Sequence, residues 1–195
     1  MITPITLHDA LCDFLKKEVA DKQQFKSVDR NNNVVFKNPQ IVRTGWVMPK
    51  SIDTGIDFEE DFFGEEDTPN VNEQVSITEE YPYIIPRLGK LETTKGTRES
   101  VQTVEIAIGI YNPGTYDDKG QLVDDGSAHR DFWNLVEMIR QALFSHLVIE
   151  KKYRLQDDYF EADSTPEQIY PYWEGYCEVK FDVMYPLPQL DPKFY

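Results

Sequence analysis

Two stretches of the chain carry apolar residues at helical spacing. In TLHDALCDFLKKEVADK, Leu7, Leu11, Phe14, Leu15 and Val19 recur on one face, and Thr6 followed by Asp9 gives a capping-box-like start, so the spacing predicts a helix from Thr6 to Lys22. In SAHRDFWNLVEMIRQALFSHL, Ala128, Phe132, Leu135, Val136, Ile139, Leu143 and Leu147 form one stripe, with Ser127 placed to cap its start.

Other stretches alternate with period two. Val104, Ile106, Ile108 and Ile110 in VQTVEIAIGIY alternate with Thr103, Glu105, Ala107 and Gly109, which predicts a central strand. Near the end, Trp173, Cys177, Val179, Phe181, Val183 and Tyr185 share one face and Glu174, Glu178, Lys180 and Asp182 the other, giving a strand with one dry and one wet side. EYPYIIPRLGKL also has strand chemistry, but Pro82 and Pro86 share one parity and push it toward a sheet edge. VVFKNPQIVR, interrupted by Pro39, permits an edge or bent strand, VIEKKYRLQ reads as a short strand, and a loop through Pro166 follows it.

Between these elements lie segments without periodicity. Residues 51–80 are acidic, with Gly55, Gly64 and Pro69, and read as an insertion or long loop; residues 112–126, with Asn112-Pro113-Gly114, read as a hairpin tongue; residues 186–195, with Pro186, Pro188 and Pro192, read as an extended tail. Helix, strands, helix, strands with one-sided alternation predicts an α+β fold, an antiparallel β-sheet with two main helices packed on one face. At 195 residues, 40% hydrophobic and 28% charged, residues 1–195 read as a single globular domain.

Charge sharpens this picture. The formal net charge is -15, and between Lys50 and Arg87 stand eleven acids and no base, whereas elsewhere 24 acids face 20 bases. A field of that sign repels phosphate backbones and disfavours sequence-specific nucleic-acid binding. No apolar run approaches the length of a membrane span, and charged residues interrupt the N-terminus before a signal-type block completes, so no membrane association is expected.

Candidate chemistry is sparse. His8, His129 and His146 lack metal-ligand spacing, and Cys12 and Cys177 stand alone in apolar patterns. Clustered carboxylates such as Asp57, Glu59, Glu60 and Asp61 supply the oxygen ligands a hard cation needs, but EF-hand spacing is missing and solvated charge is the favoured reading. No nucleophile motif or phosphate-cradling loop is present; the expectation is no enzyme, no cofactor and no metal, with a metal-dependent enzyme using the acidic segment as the rival of a different class. The aromatic-proline clusters Tyr81-Pro82-Tyr83 and Tyr170-Pro171-Tyr172-Trp173 fit edge packing, or an intersubunit surface, where tyrosine and tryptophan concentrate.

The order YPYIIPRLGKL, VQTVEIAIGIYNPG, HRDFWNLVEMIRQAL, IEKKYRLQ, YPYWEGYCEVKFDVMYP, spanning residues 79–186, resembles the tail terminator, or tail completion, proteins of long-tailed phages. The resemblance implies a structural virion protein, assembled in the host cytoplasm and located at the head-tail junction. It would form a ring, typically homohexameric, that caps the tail tube protein and docks to a head completion or neck protein while DNA passes through. A head-side neck or connector protein is the nearest alternative. On this reading Asp57, Glu59, Glu60, Asp61, Glu65, Glu66 and Asp67 are candidates for lumen or outer rim, which the pattern suits equally. Tyr81, Tyr83, Tyr116, Tyr170 and Tyr172 are candidates for subunit or partner contact. The acidic stretch and the tongue depart from the family pattern and leave the partner surfaces open.

Overall fold

The computed structural model describes residues 3–28, 33–45, 81–93, 99–116, 119 and 122–184. The acidic candidates between Asp57 and Asp67, and the tail 186–195, lie outside the described residues. The chain is a mixed α+β fold. Helix α1 spans Pro4–Glu18 and α2 spans Ser127–His146; the strands are β1 (Phe25–Val28), β2 (Val34–Lys37), β3 (Gln40–Ile41), β4 (Tyr83–Thr93), β5 (Glu99–Tyr111), β6 (Thr115–Tyr116), β7 (Leu122–Val123), β8 (Val148–Ile149), β9 (Tyr153–Ser164) and β10 (Tyr172–Met184). The main sheet has the order β3-β4-β5-β10-β9-β8, while β1-β2 and β6-β7 form separate two-stranded ladders.

Its framework is four long strands. β5 pairs with β10 in unbroken antiparallel register from Tyr111↔Tyr172 to Glu99↔Met184. β4 flanks β5 and β9 flanks β10, also antiparallel, with register shifts between Leu88 and Leu91 and opposite the Val179–Phe181 stretch. The sheet is not wholly antiparallel as predicted, because β3 runs parallel to β4, the Gln40 and Val42 N–H groups donating to the Pro82 and Ile84 carbonyls at 2.9 and 3.0 Å. Pro86 shares the parity of those outward-facing groups, so its missing N–H costs the sheet no hydrogen bond.

Both helices lie on one face and the core sits between. Leu7, Leu11, Leu15 and Val19 of the first apolar stripe and Phe132, Leu135, Ile139 and Leu143 of α2 join Ile106, Ile108, Cys177, Val179, Phe181 and Val183 in one buried cluster. Gly175 lets α2 sit close, for a Cβ there would lie 2.5 Å from the Phe132 ring and 2.3 Å from the Asp163 carbonyl oxygen.

The element ends differ from expectation in instructive ways. α1 begins earlier than Thr6: Thr3 is its N-cap, its hydroxyl accepting from the Thr6 N–H at 3.2 Å while Thr6 Oγ1 accepts from the Thr3 N–H at 2.9 Å, with Pro4 opening the helix. It ends at Glu18, and a 3-10 turn covers Ala20–Lys22. Ser127 is not the cap of α2: Gly126 holds that position at φ 70°, and the Asp125 carboxylate accepts from the Ser127 N–H at 2.9 Å. Hydrogen bonding from Ser127 holds the Asp125 carboxyl below its usual range. Leu147, the last residue of the predicted stripe, is exposed just past the helix end. Instead of one short strand, VIEKKYRLQ folds as β8, a tight turn and the start of β9, and β9 continues to Ser164 through residues read as loop. β1 was not foreseen.

Candidate functional site

Register places two kinds of side chain on the sheet face away from the helices. At one end, Tyr83 lies opposite Gly109 on β5, and Gly109 lies opposite Glu174 on β10. The missing Cβ of Gly109 makes room for aromatic rings: a Cβ there would lie 2.3 Å from the Tyr83 ring and 2.8 Å from that of Tyr81. Tyr81 and Tyr172 rings are 4.9 Å apart, Tyr81 and Tyr83 5.0 Å, and Tyr111 and Tyr172 5.6 Å. Ile85, Ala107 and Val42 complete this second apolar cluster.

Glu174 organises the tyrosines. Both the Tyr81 and Tyr83 hydroxyls donate to Glu174 Oε1, the latter at 2.9 Å. Burial, reinforced by the neighbouring Glu174 carboxylate, pushes both phenols well above the ordinary tyrosine range. Protonated and committed to one acceptor, these hydroxyls fix side chains. Ser27 secures the approach by donating from Oγ to the Tyr81 carbonyl at 2.6 Å. Both Tyr81–Pro82 and Tyr170–Pro171 peptide bonds are cis.

Farther along the same face, Arg87, Glu105, Glu178 and Glu161 stand directly opposite one another across β4, β5, β10 and β9. Three carboxylates in one cross-strand row repel, so their partners matter. Arg87 reaches Glu105 at 3.1 Å, and the Tyr159 hydroxyl donates to Glu178 at 2.5 Å and to Glu161 at 3.1 Å. Hydrogen bonding to Glu178 raises the Tyr159 phenol above its usual range. Lys180 sits 3.9 Å over the Tyr159 ring.

Of the five tyrosines singled out in sequence, the fold thus gathers Tyr81, Tyr83 and Tyr172. Tyr81 and Tyr83 are only 5% and 7% exposed within the single chain. Tyr170, 51% exposed, stands apart, its hydroxyl donating to the Pro113 carbonyl at 2.6 Å, and the backbone of Tyr116 belongs to β6. Sequence reasoning did not single out Gly109, Glu174 or Ser27, which only long-range register brings to the tyrosines. It also passed over Asn112 as a turn residue: buried, it accepts from Lys26 at 3.1 Å and the Gly114 N–H at 2.9 Å and donates to Asp131 at 2.7 Å, tying β1, the base of residues 112–126 and α2 together.

An open groove of about 370 Å³ runs between α1, residues 43–45 and β4, lined by Ile5, His8, Arg43, Gly45, Pro86 and Leu88 among others. His8 Nε2 lies 3.1 Å from the Pro86 carbonyl oxygen, and Arg43 pairs with Asp13. Cys12 lies behind His8, its thiol pushed up to about 11 by burial, and burial also raises that of Cys177, so neither favours thiolate. Among the described residues no group of three His, Cys, Asp or Glu side chains could hold a metal ion, and no helix is long and apolar enough to cross a membrane.

The fold and this face define the chain as a mixed α+β domain whose polar sheet face carries tyrosine–carboxylate contacts. No protein-family model matches the sequence, and no curated protein is significantly similar to it.

Proposed function

We propose that the protein is a structural subunit of a phage tail, a tail terminator that self-associates into a ring, caps the tail tube and receives the head completion or neck protein. The observation that carries this reading is where the family-like segments fall. YPYIIPRLGKL, VQTVEIAIGIYNPG, HRDFWNLVEMIRQAL and YPYWEGYCEVKFDVMYP supply most of β4, β5, α2 and β10, and IEKKYRLQ the turn from β8 into the start of β9, so the resemblance spans a connected architecture rather than scattered strings. A second support is chemical: the tyrosine–carboxylate contacts commit the Tyr81 and Tyr83 hydroxyls to Glu174 and hold that end of the sheet face in shape. The reading is of a non-enzymatic virion protein without a cofactor, made in the host cytoplasm.

The acidic residues Asp57, Glu59, Glu60, Asp61, Glu65, Glu66 and Asp67 would then border water, in the lumen or on the rim, where phosphate passing through meets repulsion instead of capture. Gel filtration and electron microscopy of the purified full chain, alone and mixed with tail tubes, test the proposal. Rings that seat on tube ends are expected. Rings that bind only the head side would favour a neck protein, and a monomer with divalent-metal-dependent hydrolysis would overturn the structural reading.

A further inference from the structure

The main sheet ends in two strands that are long but barely covered. β4 has 11 residues, of which β3 pairs with Tyr83 and Ile84 and His8 reaches the Pro86 carbonyl; β9 has 12 residues, of which β8 pairs with Tyr153 and Arg154 and the Leu155 N–H donates to the Leu147 carbonyl. In an antiparallel ladder alternate residues turn both backbone groups to the same side. The β4–β5 and β9–β10 registers therefore turn the backbone groups of Leu91 and Thr93 on β4, and of Phe160, Ala162 and Ser164 on β9, away from the sheet. Among the described residues, no strand pairs with either stretch.

The two edges complement each other. β3 covers the N-terminal end of β4 and β8 covers the N-terminal end of β9, and these strands run in opposite directions, so the sheet is stepped in opposite senses at its two sides. β4, β5, β10 and β9 alternate in direction, so a second copy related by rotation about an axis along the strands brings its β4 antiparallel to this copy's β9. The steps then interlock with a stagger, as closing a tilted sheet requires. Charge favours the same pairing over its alternative: the uncovered part of β9 carries Asp157, Asp158, Glu161 and Asp163, whereas the uncovered part of β4 carries Lys90 beside Glu92 and no excess of carboxylates. Pairing β9 with its own copy would oppose eight carboxylates.

We propose that the β9 edge of one subunit pairs head-to-tail with the β4 edge of a second copy of this chain, extending the sheet across the subunit boundary. This rests on the ring reading above and specifies its contact. Heterologous pairing of this kind closes into a ring when the rotation divides the circle.

The test uses the full chain with Leu91→Cys and Asp158→Cys, singly and combined, treated with a short bis-maleimide; the native Cys12 and Cys177 are buried. The double variant should give a ladder of covalent multimers and the single variants none. A second arm is Ala162→Pro, which removes an outward N–H without touching the β9–β10 bonds and should shift assembly to about tenfold higher concentration, the scale of one lost inter-strand hydrogen bond. Lys90→Glu, on an exposed side chain, should weaken assembly in the same direction if Ala162→Pro fails to fold. Rings that persist in Ala162→Pro and Lys90→Glu without a ladder overturn edge pairing and leave the ring reading intact. Dimers from either single cysteine variant overturn the head-to-tail arrangement, and a wild-type chain that stays monomeric at all concentrations overturns both readings.

Discussion

Glu150 and Lys151 both adopt left-handed backbone, φ 49° and 58°, in the turn joining β8 to β9, closed by the Lys152 N–H donating to Ile149 at 3.0 Å. Side chains with a Cβ adopt that conformation at a cost of about 1–2 kcal/mol each, and glycine or asparagine is the usual occupant. Lys151→Gly should therefore raise stability by about 0.5–1 kcal/mol, after the extra entropy of glycine in the unfolded chain, read as a higher urea midpoint at unchanged slope. The same residues explain why this hairpin was not legible in the sequence: Glu-Lys-Lys carries no turn signal, so VIEKKYRLQ reads as one strand. A second consequence lies with Tyr81 and Tyr83, whose folded pKa values stand above the unfolded value of about 10. Their contribution is complete below pH 10 and lost as pH rises toward the folded values, because the unfolded state releases its protons first. Stability should fall more steeply above pH 10 in the wild type than in Tyr83→Phe, as urea midpoints from pH 8 to 11 will measure.

At the scale of elements, packing decides. Leu135 on α2 and Phe181 on β10 are fully buried in the same core cluster, and replacing either by alanine should cost about 2–5 kcal/mol in equilibrium unfolding. Near-neutral midpoints would remove this interface from the account of the fold. α2, β5 and β10 were legible because their apolar residues keep one period from end to end. β9 was not: its register slips opposite Val179–Phe181, so Leu155 and Phe160 both face the core although they are five residues apart, which breaks the alternation. The ends of α1 and α2 were misjudged for a related reason, since Thr3 and Asp125 act through local side-chain hydrogen bonds and Gly126 through a left-handed backbone, none of which apolar spacing encodes.

For the whole molecule, the net charge of -15 bears on assembly. Eleven acids without a base between Lys50 and Arg87 repel their copies in any ring, against which the β4 and β9 edges offer few opposite charges. Salt shortens the reach of that repulsion to about 10 Å at 0.1 M. Assembly should hold or strengthen from low to moderate ionic strength, and the combined Glu59→Gln, Glu60→Gln and Asp61→Asn change should leave ring formation intact by gel filtration. Loss of the ring in a folded triple variant would make those carboxylates specific contacts. Of the candidate site, the sequence shows the tyrosines in two clusters, but Glu174 reads only as one more wet-face residue. What unites them is the pairing of strands far apart in the chain, and periodicity within one strand carries no information about its neighbour.

That pairing also sets a folding order. β4 with β5 and β9 with β10 are hairpins between near neighbours in the chain, whereas β5 and β10 meet along a seam that closes only after the stretch from Tyr111 to Tyr172, α2 included, has come together. Local pairs form early and long closures late, so the rate-limiting event should be the zipping of two preformed hairpins along this seam. Ile106→Val, on the seam, should cost about 0.5–1.5 kcal/mol and express that loss mainly as slower refolding in stopped-flow chevrons. Tyr153→Phe, which releases the 2.6 Å hydrogen bond from Tyr153 to Thr6 at the outer margin, should instead speed unfolding and leave refolding nearly unchanged.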